Sequence, residues 1–158
     1  MRKTGGVASV LFVCLGNICR SPLAEGALRA AATRAGIDLT VDSAGTGGWH
    51  AGEPPDRRAQ AAARRHGTDI SGLRARQARA EDFRRFDYVL ALDTQNLRDL
   101  AAIRPADATA ELGLLMDYVP GREGSSVADP YYGDDSDFDV TWGDVSAAAE
   151  ALVARISR

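Results

Sequence analysis

The sequence predicts an α/β fold: a single domain whose four-stranded parallel sheet is flanked by helices on both faces, a flavodoxin-like three-layer sandwich. Three observations carry that expectation. Strand-like apolar runs alternate with helix-like segments along all 158 residues, the order that a parallel sheet with crossover helices requires. The first run, over 7–13, is apolar but for Ser9 and rich in Val, Leu and Phe, as in a strand buried on both faces. No internal repeat or linker divides the chain, and its length suits one domain.

The elements follow in order. Residues 1–6 read as a flexible N-terminal arm. Arg2 and Lys3 ahead of an apolar run imitate a secretory signal, but the run is short and no small-x-small cleavage site follows it. A strand over 7–13 is the better reading. The loop CLGNIC comes next, then a helix over 22–35, with Ser21 as N-cap, Pro22 in the favoured first position and Gly36 as its stop. A second strand spans 39–43. The Gly-rich loop AGTGGWHAGEPP leads to a helix over 56–66, closed by Gly67. A short helix over 80–85 precedes the third strand at 88–92, and Asp93 or Thr94 caps a helix reaching about residue 101. The fourth strand covers 111–116. Residues 120–138 are rich in Gly, Ser and Asp, show no helical period, and read as a long loop. The last helix spans 144–156, where Val145, Ala148, Ala149, Leu152, Val153 and Ile156 share one face. Ligands of open α/β sheets bind beyond the carboxyl ends of the strands, so the loops 14–21, 44–55 and 117–138 are candidates for one shared site.

Composition excludes several function classes. Hydrophobic residues make up 45% and charged residues 26% of the chain, normal for a soluble globular protein. A core is possible at this length without disulfide or metal staples. The formal net charge of −3 argues against a nucleic-acid partner. Two His and two Cys are too few for a multi-ligand zinc site or an iron–sulfur cluster, and no metal or other cofactor is expected. Lys3 is the only lysine, which removes a Schiff-base or P-loop lysine from the body of the chain. No apolar stretch is long enough for membrane insertion as a helix. The expected compartment is the cytoplasm, where Cys14 and Cys19 stay reduced; export without a signal stays open.

Residues 13–22 read VCLGNICRSP. Cys14, five residues, then Arg20 and Ser21 stand between a buried strand and a helix. The helix N-terminus supplies unpaired N–H groups and partial positive charge. Successive N–H groups over Leu15, Gly16, Asn17, Ile18 and Cys19 make a nest for an anion such as phosphate. Gly16 and Asn17 tolerate the unusual dihedrals that such a loop demands. Cys14 at its mouth feels the same field, which favours the thiolate. Arg20 can hold two phosphate oxygens in a planar fork, and the Ser21 hydroxyl can hydrogen-bond the sulfur. The Lys-Ser/Thr ending of a Walker loop is missing.

This loop resembles the active-site loop of the low-molecular-weight protein-tyrosine phosphatases. SAGTGGWHAGEPPD (43–56) resembles that family's second loop, FDYVLALD and NLRDL (within 86–100) its third strand and following helix, and DPYYG (129–133) its acid loop. The motifs keep the family's order, and the resemblance covers nearly the whole chain. It implies a metal-independent phosphatase acting on phosphotyrosine, with Cys14 as nucleophile, Arg20 and the loop as phosphate ligands, and Asp129 as general acid. An acid has independent logic, because the leaving phenolate has a pKa of about 10 and a positioned carboxylic acid typically gains about 10²–10⁴-fold. Asp134, Asp135, Asp137 and Asp139 share the stretch, and only the family motif singles out Asp129.

Trp49, Tyr131 and Tyr132 are aromatics in expected loops. As rims of a deep cleft they would stack on a substrate ring and keep a phosphoserine from the floor; the resemblance puts Trp49 and Tyr131 in the cleft wall. It also implies that Asn17 and Ser43 brace the phosphate loop. Many family members carry a histidine shortly before the ARQ-like stretch. Here Leu73 stands about there, in SGLRARQ (71–77), so a different bracing is expected. His50 reads as a loop-rim residue and His66 as facing a helix C-terminus. Cys19 is either a small buried residue or, as the resemblance suggests, a disulfide partner of Cys14 under peroxide.

Two other readings stay open. Arsenate reductases share this fold and loop, although the thioredoxin-linked kind needs further cysteines that this chain lacks. A phosphotyrosine-binding or phosphocarrier domain would not need Cys14, Arg20 and Asp129 together. The expected partners are phosphotyrosine-containing proteins, with a bacterial tyrosine kinase among the candidates. Substrate, oligomeric state and phosphorylation of Tyr131 or Tyr132 are not legible in the sequence.

Overall fold

The computed structural model describes residues 7–157; the arm expected over 1–6 lies outside the described residues. Strand β1 (Ala8–Cys14) is buried at every position. Its side chains alternate between two cores, as the pleat of a strand requires: Val10, Phe12 and Cys14 join one, Leu11 and Val13 the other. It pairs in parallel with β2 (Leu39–Gly45) on one side and β3 (Tyr88–Ala91) on the other. β4 (Glu111–Leu114) pairs in parallel with β3, giving the order β2-β1-β3-β4. The sheet is therefore the four-stranded parallel one that the sequence predicts. Strand order reverses between β1 and β3, and the crevice beyond their carboxyl ends is where such sheets take ligands.

Helices cover both faces. On one, α1 (Arg20–Ala35) and α5 (Asp135–Ile156) bring Leu23, Leu28, Phe138 and Trp142 against Phe12 and Leu90. α2 (Arg57–Arg65) packs on α1 and α5. On the other face, α3 (Asp82–Arg85) and α4 (Thr94–Ile103) enclose Phe83 and Leu100 with Val13 and Val89. Each such buried side chain contributes about 1.5–3 kcal/mol relative to exposure.

Most boundaries shift by a residue or two from the sequence reading, and three of the differences bear on the argument. α1 begins at Arg20, with Cys19 at the N-cap and no side-chain capping bond. Ser21, expected as the cap, lies inside the first turn instead, which frees its hydroxyl for other work. The fourth strand stops at Leu114, and Leu115–Tyr118 form a 3₁₀ turn. α5 begins at Asp135, not at 144. Its start is fixed by a capping box in which Asp134 accepts from the Asp137 amide and the Asp137 carboxylate accepts from the Asp134 amide. A Cβ at Gly133 would collide with that Asp137 carboxylate. The first turns of α5 are polar outside but for Val140, and their buried face is carried only by Phe138, Thr141 and Trp142, too sparse a period to stand out in an Asp-rich stretch.

Phe138 lies within the segment read as loop and is fully buried. Phe138→Ala is expected to lower unfolding free energy by about 3–5 kcal/mol, read from urea denaturation. A loss below about 1 kcal/mol, the size of an ordinary loop change, would contradict the packed start of α5.

Candidate active site

Cys14 is the last residue of β1 and pairs with Gly45 at the end of β2. A Cβ at Gly45 would lie 2.7 Å from the Leu15 carbonyl oxygen, so a glycine is needed for the following loop to lie this close. Across that approach Thr46 N–H donates to the Cys14 carbonyl (2.8 Å) and Gly47 N–H to that of Leu15 (2.9 Å). Asp56, the N-cap of α2, donates its N–H to the Ile18 carbonyl (2.8 Å). These carbonyls are thus engaged by donors outside the loop, an arrangement that suits a loop whose own N–H groups serve an anion. Asn17 takes a φ of 59°, the left-handed region that Asn tolerates. Gly16, expected for the same reason, does not appear among the positive-φ residues. Its missing Cβ gives room to His50 instead, whose Cδ2 would be 3.1 Å away.

A hydrogen-bonded chain braces the loop from behind. Asn17 Nδ2 donates to Ser21 Oγ (2.8 Å) and Ser43 Oγ (3.0 Å), and its Oδ1 accepts from the Arg76 amide (3.0 Å). Ser43 Oγ donates to Glu25 Oε1 (2.8 Å), and Arg29 holds Glu25 Oε2 through Nε (3.1 Å) and Nη2 (2.8 Å). Burial pushes the Glu25 carboxyl above its ordinary range, against the opposing pull of Arg29 and Ser43. Ser21 Oγ lies 3.0 Å from Cys14 Sγ. Asn17 donates to this oxygen, and the Ser21 hydrogen has two acceptors in reach, the sulfur and, at 3.4 Å, the Ala44 carbonyl. Leu73 packs against the core, partly buried, and takes no part in this chain.

Arg20 is almost wholly buried, its side chain 5% exposed. Its Nη1 donates to Asp93 Oδ2 (2.7 Å) and to the Val127 carbonyl (3.1 Å), and Nη2 faces Asp129 Oδ2 at 3.8 Å. Asp93 is itself fixed as the N-cap of α4, where Oδ1 accepts from the Asn96 amide (2.7 Å). Burial works against the guanidinium charge, yet Cys14, Asp93 and Asp129 outweigh it and the net shift is upward. Burial first, then the charges of Asp56, Cys14 and Asp129, push the Cys19 thiol far up. Of the two buried cysteines, Cys19 is therefore a neutral thiol at physiological pH.

The Asp129 side chain is 44% exposed, and its Oδ1 accepts from the Tyr131 amide (3.1 Å). Arg58 fastens the loop that carries it. Its Nη1 donates to the Gly133 carbonyl (3.1 Å), and its guanidinium lies 5.5 Å from the Tyr131 ring centre and 4.6 Å from that of Phe138. Nε and Nη2 of the same group bond the Asp56 carboxylate at 3.1 Å each. The Asp56–Arg58 pair so joins the loop after β1, α2 and the loop that carries Asp129.

A cleft of about 260 Å³ gathers most of the expected residues: Cys14, Leu15, Gly16, Ile18, Cys19, Arg20, Trp49, Asp129, Tyr131 and Tyr132, with His50 on its rim. Asn17, Ser21 and Ser43 stand behind the loop, not in the cleft wall. Asp134, Asp135, Asp137 and Asp139 are not among the lining residues; Asp134 and Asp137 cap α5, and Asp139 pairs with Arg65 and His66. His66 caps the C-terminus of α2 and stacks on Trp142. The sequence reading missed three groups: Asp93 as the anchor of Arg20, Glu25 at the end of the bracing chain, and Arg58. Asp93 had a signal, since it follows a strand adjacent to β1 and so ends on the same sheet edge as Cys14. Glu25 and Arg58 had none beyond an acid on a buried helix face and an arginine two residues after a cap.

The sequence model of the family described as low molecular weight phosphotyrosine protein phosphatase matches residues 9–158. A low molecular weight protein-tyrosine-phosphatase of Bacillus subtilis, YfkJ, is 40% identical over 152 residues, covering 95% of this chain and 96% of its own length. The crystal structure of YfkJ superposes with a TM-score of 0.89 and covers 98% of each chain. The human low molecular weight phosphotyrosine protein phosphatase is 47% identical over 138 residues, 85% of this chain and 86% of its own. A Drosophila arginine phosphatase superposes with a TM-score of 0.87 at 32% identity, covering 94% of this chain and 98% of that one. By sequence along nearly its full length and by fold, the chain belongs to the low molecular weight phosphotyrosine protein phosphatase family.

Proposed function

We propose that this chain, acting as one domain, is a metal-independent phosphatase that hydrolyses phosphotyrosine in proteins through a phosphocysteine intermediate. The observation that carries the reading is the convergence on one cleft of three groups: a sulfur contacted by a hydroxyl, a buried guanidinium, and a carboxylate beside it.

In the first step the Cys14 thiolate attacks phosphorus in line. The S–P bond forms as the P–O bond to the tyrosine ring breaks, and protonated Asp129 gives its proton to the departing phenolic oxygen. Nη1 of Arg20 is engaged by Asp93 and Val127, so Nε and Nη2 are the edge offered to two phosphate oxygens. The amides of 15–21 share the charge on the transferring group. In the second step Asp129, now a carboxylate, takes a proton from a water as that water attacks phosphorus. The S–P bond breaks, phosphate leaves, and the Ser21 hydroxyl receives the returning charge on sulfur.

The rim of Trp49, Tyr131 and Tyr132 fits an aromatic ring and supports a phosphotyrosine substrate over the phosphoarginine suggested by one neighbour's name. Cys19, buried with its thiol pKa pushed up, is a poor relay for the disulfide exchange of a thioredoxin-linked arsenate reductase. The partners are phosphotyrosine-containing proteins, a bacterial tyrosine kinase among them, in the cytoplasm. No helix among the described residues is long and apolar enough to cross a membrane.

With EDTA present, the protein is expected to turn over p-nitrophenyl phosphate and phosphotyrosine peptides, and phosphoserine peptides about a hundredfold more slowly or worse. Faster release of phosphate from phosphoarginine than from phosphotyrosine peptides would move the substrate class. Cys14→Ser is expected to lose about a thousandfold or more in turnover; full activity would reject the mechanism. Asp129→Ala should slow phosphotyrosine by about 10²–10⁴-fold and p-nitrophenyl phosphate, whose leaving group needs less help, far less. Equal losses on both would remove Asp129 from the acid role. Arg58→Ala is expected to copy that leaving-group dependence more mildly and to add little to Asp129→Ala. A loss equal on both substrates would make Arg58 merely structural.

A further inference from the structure

Leu15, Trp49 and Ile103 are 45%, 70% and 41% exposed, large apolar side chains on one side of the cleft mouth. Between them lies a second groove of about 510 Å³. Leu15 and Trp49 line both this groove and the catalytic cleft, so the two spaces share a wall. The far side is made by Ala102 and Ile103 in the last turn of α4.

The dividing wall is built into the loop. The Trp49 indole lies over Gly47, where a Cβ would collide with the ring. Next to it, Gly48 leaves room for Gln77, whose Oε1 would be 3.0 Å from a Cβ there. Gln77 in turn fixes the loop by donating Nε2 to the Thr46 carbonyl (3.0 Å). The ring can lie there because Gly47 has no side chain, and the room at Gly48 admits the Gln77 side chain that fixes the loop. Three exposed apolar side chains around one groove offer surface that an apolar group of a bound substrate would cover.

We propose that this groove is a substrate subsite, and that it takes an apolar side chain two residues from the phosphotyrosine in the polypeptide being dephosphorylated. The inference rests on the phosphatase reading above. Continuity with the cleft names the occupant: a polypeptide whose phosphorylated ring sits beside Trp49 extends beyond the rim in both chain directions, and the groove begins at the shared wall of Leu15 and Trp49. In an extended segment, side chains two apart point to the same face, about 7 Å from one another. With the phosphotyrosine directed into the cleft, the next side chain on that face meets the groove. Asp99 is the one charged residue lining it, which disfavours an acidic side chain there.

The test uses phosphotyrosine peptides of alanine-rich sequence with Leu, Ala or Asp placed two residues before or two residues after the phosphotyrosine. At one of these positions Leu is expected to raise kcat/KM about fivefold or more over Ala, with Asp below Ala. In Ile103→Glu, and independently in Ala102→Glu, that advantage of Leu should fall to about one. Equal kcat/KM for Leu and Ala at both positions, or an advantage that survives both variants, overturns the subsite. Turnover of p-nitrophenyl phosphate, too small to reach the groove, separates the two readings. A protein that hydrolyses neither it nor the peptides fails as a phosphatase, whereas one that hydrolyses it and all peptides alike fails only here.

Discussion

The orientation of the peptide groups between β1 and α1 is the constraint from which the site follows. A short loop can present either end of its amide dipoles to a space in front of it, and only one choice suits an anion. Here the choice is made by neighbours. Carbonyls of Cys14, Leu15 and Ile18 are engaged by amides of the second loop and of the α2 cap, and Asn17 pins the middle of the loop to Ser21, Ser43 and the Arg76 backbone. Buried β1 fixes the entry and α1 the exit. The helix start that carries no side-chain cap belongs to the same design, since a capping carboxylate or hydroxyl would compete for the first-turn N–H groups.

Charge is distributed in the cleft according to what each group has to do. Arg20 is buried and doubly anchored, to a carboxylate that is itself a helix cap. A buried cation with a fixed partner keeps both its charge and its direction. Asp129 stands at the other extreme: much more exposed, farther from Arg20, and held chiefly by the turn of its own loop and by the strap of Arg58 on that loop. In the proposed mechanism Asp129 exchanges protons with a leaving oxygen and then with water, and such access suits that role. The two cysteines show the same division. Cys14 has a hydroxyl at hydrogen-bond distance, while Cys19 is surrounded by burial and negative charge.

Much of this was legible in the sequence because it lies in strong local patterns. A run apolar but for Ser9 marked β1, and a Cys-x5-Arg-Ser run between strand and helix marked the loop. Asp129 was singled out as the proposed acid only through family resemblance, because five aspartates share that stretch and composition does not rank them. The structure ranks them physically, by giving its other members to the α5 cap and helix surface. The start of α5 was hidden by its polar outer face, and Ser21 was taken for a cap because its residue type suits that role equally well. Glu25, Asp93 and Arg58 act at long range in the chain, through contacts that no local window contains.

The nucleophile is the claim on which the rest stands, and its most direct measurement is rapid-quench mass spectrometry of the protein mixed with a phosphotyrosine peptide. The account requires a transient adduct with the mass of one phosphoryl group on the peptide containing Cys14, localised to that sulfur and formed no later than free phosphate. Phosphate release with no adduct at any time, or an adduct on a different residue, would contradict it.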